Sequence, residues 1–227
     1  MKVTWLGQAG LLFDNGSFKI MIDPYFSDSV GRIDGKKHRR IPVPTDALTI
    51  EPDVLIFTHD HSDHYDHETA ELLLGIGRST KTVLAPRSAW EKARMLGGDH
   101  NYVLLDRGCE WTERGFRFTS VGAVHSDPCA IGVVIHDLSD GRKFYVTGDT
   151  LYSHKILSEL PEEIDAIFLP INGSGNNMNK SDAERFAASV GARVAIPYHV
   201  GMMDELCPEI FELKSRLILT PFFETEI

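Results

Sequence analysis

Short apolar runs alternate with turn-forming residues along the whole chain, and this pattern predicts many short strands. Runs such as Val54-Leu55-Ile56-Phe57 are too short for helices and end in polar segments, which is typical of buried strands. We predict strands at residues 3–6, 11–13, 18–22, 54–57, 82–85, 102–105, 116–123, 130–136, 143–146, 166–169 and 194–197. Apolar positions at helical spacing predict helices at residues 67–74, 88–96, 153–160, 181–190 and 208–214.

The order of these elements favours a mixed sheet covered by helices. Early strands follow one another as hairpins, whereas later strands alternate with helices. Ser139-Asp140-Gly141 lies between two strands and predicts a hairpin turn. Ser181, with Glu184 three residues later, predicts a capping box. Because no low-complexity linker or repeat interrupts the pattern, we expect one domain over residues 1–227.

Composition indicates a soluble globular protein. The chain is 42% hydrophobic and 25% charged, and no run approaches the apolar length that spans a bilayer. The first residues enter a strand pattern directly, without the apolar region of a signal peptide. Three widely spaced cysteines imply no disulfide framework. We therefore expect a cytoplasmic protein with no membrane partner.

The charge of the chain is acidic, with one basic exception. A net charge of −10 argues against a long nucleic-acid substrate. Residues 25–48 lack a clear periodicity and carry a local basic run. A loop of this kind is either a solvated surface segment or an anion-binding lid. The basic residues are Arg32, Lys36, Lys37, Arg39 and Arg40.

A dense group of metal-ligand types follows the predicted strand at residues 54–57. The segment reads Thr-His-Asp-His-Ser-Asp-His from Thr58 to His64. Neutral imidazole and ionised carboxylate are ordinary ligands for Zn²⁺, Mn²⁺ or Fe²⁺. His59 and His61 point to the same side of an extended segment, so both can reach one ion. Asp63 and His64 come after a turn and can reach a second ion, which predicts a dinuclear site.

Other ligand types stand at the ends of separate predicted strands. His125, Asp149 and His199 each follow an apolar run, where sites of layered α/β folds form. Asp23 and Asn172 follow the same rule. The remaining histidines lie in loops or on helix and strand faces, and we interpret them as structural or solvated: His38, His67, His100, His136 and His154.

The order His59-x-His61-x-Asp63-His64, then His125, Asp149 in a Gly-Asp-Thr setting, and His199, resembles the metallo-β-lactamase superfamily. The resemblance implies a four-layer αβ/βα sandwich of two similar halves, with two mixed sheets flanked by helices. It also implies two divalent ions, zinc or manganese with iron as a further choice. The implied ligands are His59, His61 and His125 for the first ion, Asp63, His64 and His199 for the second, and Asp149 for both.

Within the superfamily, three segments look like the branch typified by L-ascorbate-6-phosphate lactonase. These segments are Thr4-Trp5-Leu6-Gly7-Gln8-Ala9-Gly10, Ile22-Asp23-Pro24-Tyr25 and the stretch from Thr58 to Asp66. Members of that branch use Mn²⁺ or Zn²⁺. The resemblance therefore implies a hydrolase that acts on a lactone.

The expected mechanism is attack by a hydroxide that two ions share. Two ions about 3.5–4 Å apart lower the pKa of a bridging water from about 15.7 toward about 7. Asp149 would fix the spacing of the ions, and Asp63 would orient the hydroxide and carry a proton to the leaving group. Gly148 allows close approach of the backbone. Asp23 would orient a ligand imidazole by accepting its hydrogen bond.

The leading hypothesis is hydrolysis of a lactone or ester of a small anionic substrate, such as a phosphorylated sugar acid. Candidate substrate contacts are Asn172, Asn176, Lys180, Arg39 and Arg40, and the alternative is that they only solubilise loops.

Two other functions stay open. One is hydrolysis of a phosphodiester in a small nucleotide or RNA, and the other is a non-catalytic metal-binding sensor. Enzymes of this size commonly self-associate, so we also expect a homo-oligomer.

Overall fold

The computed structural model describes the whole chain, residues 1–227. It divides into two compact units, each built on one mixed β-sheet. The first unit contains Met1–Leu104, Gly201–Glu205 and Leu219–Ile227. The second unit contains Leu105–Val200 and Leu206–Ile218.

The first unit has a seven-stranded sheet. Its strands are β1 (Lys2–Gly7), β2 (Gly10–Asp14), β3 (Lys19–Ile22), β4 (Val54–Ile56), β5 (Thr82–Ala85), β6 (Asn101–Leu104) and β13 (Glu224–Glu226). They lie in the order β13-β1-β2-β3-β4-β5-β6. The pairs from β13 to β3 are antiparallel, and the pairs from β3 to β6 are parallel.

Helices bury the central parallel strands of this sheet. They are α1 (Ser29–Ile33), α2 (His67–Leu74) and α3 (Arg87–Arg94), and a short 3₁₀ turn covers Ala47–Thr49. Helix α2 buries one stripe that includes Leu73 and Leu74, which pack in a core with Leu55 and Phe57. All three side chains of β4 are apolar and buried, as is usual for a central parallel strand.

The second unit has a six-stranded sheet. Its strands are β7 (Glu110–Glu113), β8 (Phe116–Gly122), β9 (Ile131–Asp137), β10 (Lys143–Val146), β11 (Ala166–Pro170) and β12 (Val194–Tyr198). The order is β12-β11-β10-β9-β8-β7, antiparallel from β7 to β10 and parallel from β10 to β12. Its helices are α4 (His154–Leu157) and α5 (Lys180–Val190). The expected fold class of two mixed sheets with helices is confirmed.

Every strand that the apolar pattern predicts is present, but two strands escaped the prediction. Strand β7 and strand β13 are short edge strands with several charged side chains, so neither shows an apolar run. The helix α1 was also not predicted, because Gly31 lies in its centre and it has a single turn. Edge elements of this kind are held by pairing to their neighbours rather than by their own sequence pattern.

Two helical predictions were wrong in detail. The predicted helix at residues 208–214 is only a 3₁₀ turn at Pro208–Ile210, because the next residue, Phe211, is fully buried in an extended conformation. The predicted capping box at Ser181 is also wrong, since Asn179 is the N-cap and its side chain accepts a hydrogen bond from the Asp182 amide at 3.0 Å. No helix of the chain is both long and apolar enough to cross a bilayer.

The predicted hairpin turn between β9 and β10 is confirmed. The Asp137 carboxylate accepts hydrogen bonds from the Ser139 amide at 3.0 Å and from the Ser139 hydroxyl at 2.6 Å. Gly141 supplies the left-handed conformation of the turn, with φ of +80°. Local side-chain hydrogen bonds therefore set the register of the two strands.

We predict that Gly132→Ala destabilises the second unit. A Cβ atom at this position in β9 would lie 2.8 Å from the Thr147 carbonyl oxygen and 3.0 Å from that of Val146. The backbone of β9 would have to move, so the free energy of unfolding in urea should fall by about 1–3 kcal/mol.

Gly35→Ala is the matched control, because the nearest atom to its added Cβ is 4.0 Å away. Its stability should be unchanged or rise by up to about 1 kcal/mol. Equal midpoints and slopes for Gly132→Ala and the wild-type protein would contradict the steric argument.

Candidate metal centre

Three histidines lie together in the loop that follows β4. The rings of His59 and His61 have centroids 4.6 Å apart, and those of His59 and His64 are 4.0 Å apart. A turn closes the loop, since the His64 amide donates to the His61 carbonyl at 3.0 Å. His59 and His64 are fully buried. Imidazoles grouped this closely are a common arrangement for binding a divalent ion.

Asp23 holds this loop from the end of β3. Its carboxylate lies 2.7 Å from Nδ1 of His64 and accepts the Thr58 amide at 2.8 Å and the Thr58 hydroxyl. Asp23 is fully buried and has a left-handed backbone with φ of +43°. Because Nδ1 of His64 is engaged, Nε2 is the nitrogen presented to a ligand. This is the orienting contact that the sequence predicts for Asp23.

Asp63 is held by a residue that sequence reasoning missed. The Gln8 side-chain amide donates to Oδ2 of Asp63 at 2.9 Å, and that oxygen lies 3.9 Å from Nε2 of His64. Gln8 is buried, has φ of +47°, and its carbonyl accepts the Trp5 indole N–H at 2.9 Å. Glutamine is not a usual ligand type, so only its position directly after β1 could have drawn attention to it.

In the second unit, Asp149 and His199 form a buried pair. Nε2 of His199 lies 3.3 Å from Oδ1 of Asp149, and each side chain is 5% exposed. Asp149 follows β10 through Gly148, and His199 follows β12 with φ of +54°. A carboxylate oxygen and an imidazole nitrogen thus converge, as ligands of one ion do.

Two asparagines support this pair from the loop after β11. The Asn177 amide donates to Oδ2 of Asp149 at 2.9 Å, and Asn177 is itself buried. The Asn172 amide lies 3.1 Å from Nδ1 of His199. Asn172 was predicted to line the site, whereas Asn177 was not singled out because a loop pattern does not show which amide turns inward.

His125 belongs to the same group of loops in the second unit. Its neighbour Val124 donates its amide to the Thr150 hydroxyl at 2.9 Å, which links the loop after β8 to the loop that carries Asp149. Nδ1 of His125 lies 3.4 Å from the Asn176 carbonyl oxygen. His125 is half-buried, so it reaches the surface of the protein.

Each unit carries imidazoles whose chemistry suits a divalent metal ion. In three of them, Nδ1 lies within hydrogen-bond distance of an acceptor oxygen: His59 and His64 in the first unit and His125 in the second. Engagement of Nδ1 fixes the neutral tautomer that presents Nε2, which is the arrangement of metal-bound histidines. With aspartates and no thiolate, the donor set suits Zn²⁺, Mn²⁺ or Fe²⁺.

Arg39, a candidate substrate contact, is built into the first unit. Its guanidinium donates to the carbonyls of Tyr25, Ile41 at 2.8 Å and Leu6 at 3.1 Å. It also lies over the Tyr25 and Phe222 rings. Burial lowers the pKa of Arg39 to about 10. These contacts hold the basic loop against the ends of β1 and β3.

The other candidate substrate contacts are more exposed. Arg40 is paired with Glu205 across 3.5 Å on the surface. Lys180 begins α5 and lies 2.6 Å from Glu212, and this hydrogen bond raises the pKa of the lysine. Asn176 is exposed with φ of +66°. Of the cations in this set, Arg40 has the loosest ion pair.

Comparison with known proteins identifies the family. The model of the beta-lactamase superfamily domain matches residues 19–200. The chain is 30% identical to a UPF0173 metal-dependent hydrolase of Korarchaeum cryptofilum, across 96% of this chain and 90% of the relative.

Two solved structures show the fold. The first is Igni18, a metallo hydrolase of Ignicoccus hospitalis, with a TM-score of 0.76 and 18% identity over 100% of this chain and 98% of that one. The second is YhfI of Bacillus subtilis, a metallo-beta-lactamase fold protein, with a TM-score of 0.72 and 19% identity over 99% of this chain and 98% of that one. The chain therefore belongs to the metallo-β-lactamase superfamily and, within it, to the UPF0173 metal-dependent hydrolases.

Proposed function

We propose that the protein uses two divalent metal ions to hydrolyse a lactone or ester of a small anionic substrate. The observation that carries the proposal is that Nδ1 of His59, His64 and His125 lies beside an acceptor oxygen, so that Nε2 is presented. Membership of the metal-dependent hydrolases supports the same reaction class. The family does not specify the substrate. We infer a lactone because three segments of the chain resemble the lactonase branch.

In this proposal, three histidines hold the first ion, an aspartate and two histidines hold the second, and one further aspartate binds both. The ligands are His59, His61 and His125, then Asp63, His64 and His199, and finally Asp149. Each of these side chains is a histidine or an aspartate, the residue types that commonly bind such ions. Zinc and manganese suit the donors best, and iron is compatible with them.

Bound divalent ions would supply an activated water and polarise the substrate oxygen. The residues of the chain prepare the rest of the reaction. Gln8 fixes one oxygen of Asp63, so the other oxygen can take a proton from the attacking water and return it to the leaving group. Asn177 fixes Asp149 in the same way. Buried amides that hold carboxylates keep them oriented before substrate arrives.

The anionic part of the substrate would bind to surface cations. Arg40 is exposed and loosely paired, so its guanidinium can turn to a phosphate or carboxylate, which it can bind with two parallel hydrogen bonds. Asn176 and Lys180 are secondary candidates. A cytoplasmic location and self-association stay predictions.

We predict that His61→Ala or Asp149→Ala abolishes turnover and lowers bound metal to about one equivalent per chain or less, because each removes a ligand. Elemental analysis of the purified variants, beside assays on lactone, thioester and phosphodiester probes, checks both parts. His154→Ala, which changes an exposed histidine at the start of α4, is the control and should retain metal and activity. Full turnover in metal-stripped protein would contradict the proposed function.

We predict that Asp23→Asn weakens metal binding by about 10–100-fold. The neutral asparagine amide holds Nδ1 of His64 less firmly than the Asp23 carboxylate does, so the His64 tautomer is less well fixed. Competition with a chelator measures the affinity, and circular dichroism checks the fold. The matched control is Asp137→Asn, another buried aspartate that holds only the hairpin turn. Equal metal affinity in Asp23→Asn and wild type would show that His64 needs no such partner.

We predict that Arg40→Gln raises KM for an anionic ester by about tenfold and leaves kcat within about twofold, because it removes only a charge-assisted contact. The control substitution is Arg193→Gln, an exposed arginine paired with Asp165. A neutral ester of the same size should show no difference between the variants. A fall in kcat with unchanged KM would contradict the proposal that Arg40 binds the anionic group of the substrate.

A further inference from the structure

One face of the second sheet carries a row of basic side chains. Arg117 on β8 pairs in register with His136 on β9, and His136 pairs in register with Lys143 on β10. Directly opposed residues of neighbouring strands project to the same face, with Cβ atoms about 4.5–5.5 Å apart. Three basic side chains therefore stand side by side in a chain whose net charge is −10.

Such a row is unfavourable unless something offsets it. A protonated His136 would lie directly opposite a like charge on each side, which destabilises a sheet. Burial, together with the charges of Lys143 and Arg117, lowers the pKa of His136, while Asp137 and Asp140 act weakly in the other direction. The face of the sheet thus has a positive field at His136.

The cations of the row are not neutralised by carboxylates. The Arg117 side chain makes no hydrogen bond or ion pair within the protein, and neither does the imidazole of His136. Lys143 donates only to the backbone carbonyl of Glu162, at 2.9 Å. Other arginines of this unit are paired, as Arg107 is with Glu159. The row keeps its donors available.

A cavity of about 350 Å³ lies beside the row. Residues 159–161, which follow α4, form its opposite side. Two carboxylates also line it: Glu110 accepts the Thr119 hydroxyl at 2.9 Å, and Glu159 is paired with Arg107 and accepts the Gly122 amide. A cavity of this size is large enough for a small metabolite.

We propose that this cavity binds the phosphate group of a small anion through Arg117, Lys143 and His136. A guanidinium offers two parallel donors to phosphate oxygens, and an ammonium adds a third donor with its charge. His136 completes the set when it is protonated beside the dianion. Every residue of this site belongs to the second unit, so the proposal does not depend on the proposed function.

The test is titration of the protein with inorganic phosphate, glycerol phosphate and adenosine monophosphate at constant ionic strength. The His136 imidazole signals are followed by nuclear magnetic resonance, with metal removed by a chelator so that the metal centre does not take up the anion. Binding should raise the pKa of His136, because a dianion favours the imidazolium. Tighter binding of the esters than of inorganic phosphate assigns the site to a phosphorylated metabolite, and equal binding assigns it to free phosphate.

Arg117→Gln should weaken binding by about tenfold or more, as expected for loss of a charged hydrogen-bond donor. Lys143→Gln repeats the test on a different strand in case one variant folds poorly, and thermal unfolding checks both. Arg185→Gln, an exposed arginine of α5, is the control and should bind as wild type does. The proposal is overturned if phosphate shifts the His136 signals no more than chloride does, or if both row variants bind like the control.

Discussion

The candidate metal centre depends on one constraint: polar groups that are buried must each be engaged. Asp23 is fully buried, and its two oxygens meet the Thr58 amide, the Thr58 hydroxyl and Nδ1 of His64. An unpaired carboxylate at this depth would cost several kcal/mol, so the loop has little freedom to adopt another arrangement. The contact that stabilises the loop is therefore the one that selects the histidine tautomer.

The same requirement, that buried polar groups be hydrogen-bonded, explains the strained backbone of the residues at these strand ends. Asp23, Gln8 and His199 all have positive φ, a conformation that costs about 1–3 kcal/mol for a side chain other than glycine. Each stands directly after a strand whose interior is buried. The ordered strand ends and the buried hydrogen bonds hold these residues in place, and the strain turns each side chain inward. The packing of the sheets thus offsets the free-energy cost of the strained backbone at these three residues.

Polar side chains on the second sheet follow two different rules. Asp149 is held by the Asn177 amide, which fixes one of its carboxylate oxygens. Arg117 has no such partner, and it flanks His136 on one side while Lys143 flanks it on the other. Satisfied buried groups indicate a site whose shape is set before binding, whereas the exposed Arg117 keeps its donors for the proposed anion.

The strands were predicted well from the sequence because a short buried strand consists of consecutive apolar residues. It did not predict β7 or β13, whose charged residues depend on pairing with a neighbour, nor the N-cap at Asn179. Phe211 shows the reverse case, since burial of one ring overrides the local helical pattern.

By itself, the sequence determined where the strands lie and which side chains have ligand chemistry, because both depend on residue type and local spacing. Only the tertiary structure decided which imidazole Asp23 contacts and that Gln8 holds Asp63. Asp23 reaches His64 across 41 positions, and Gln8 reaches Asp63 across 55. A hydrogen bond of that separation exists only after the sheet has brought its strand ends together, so no local pattern encodes it.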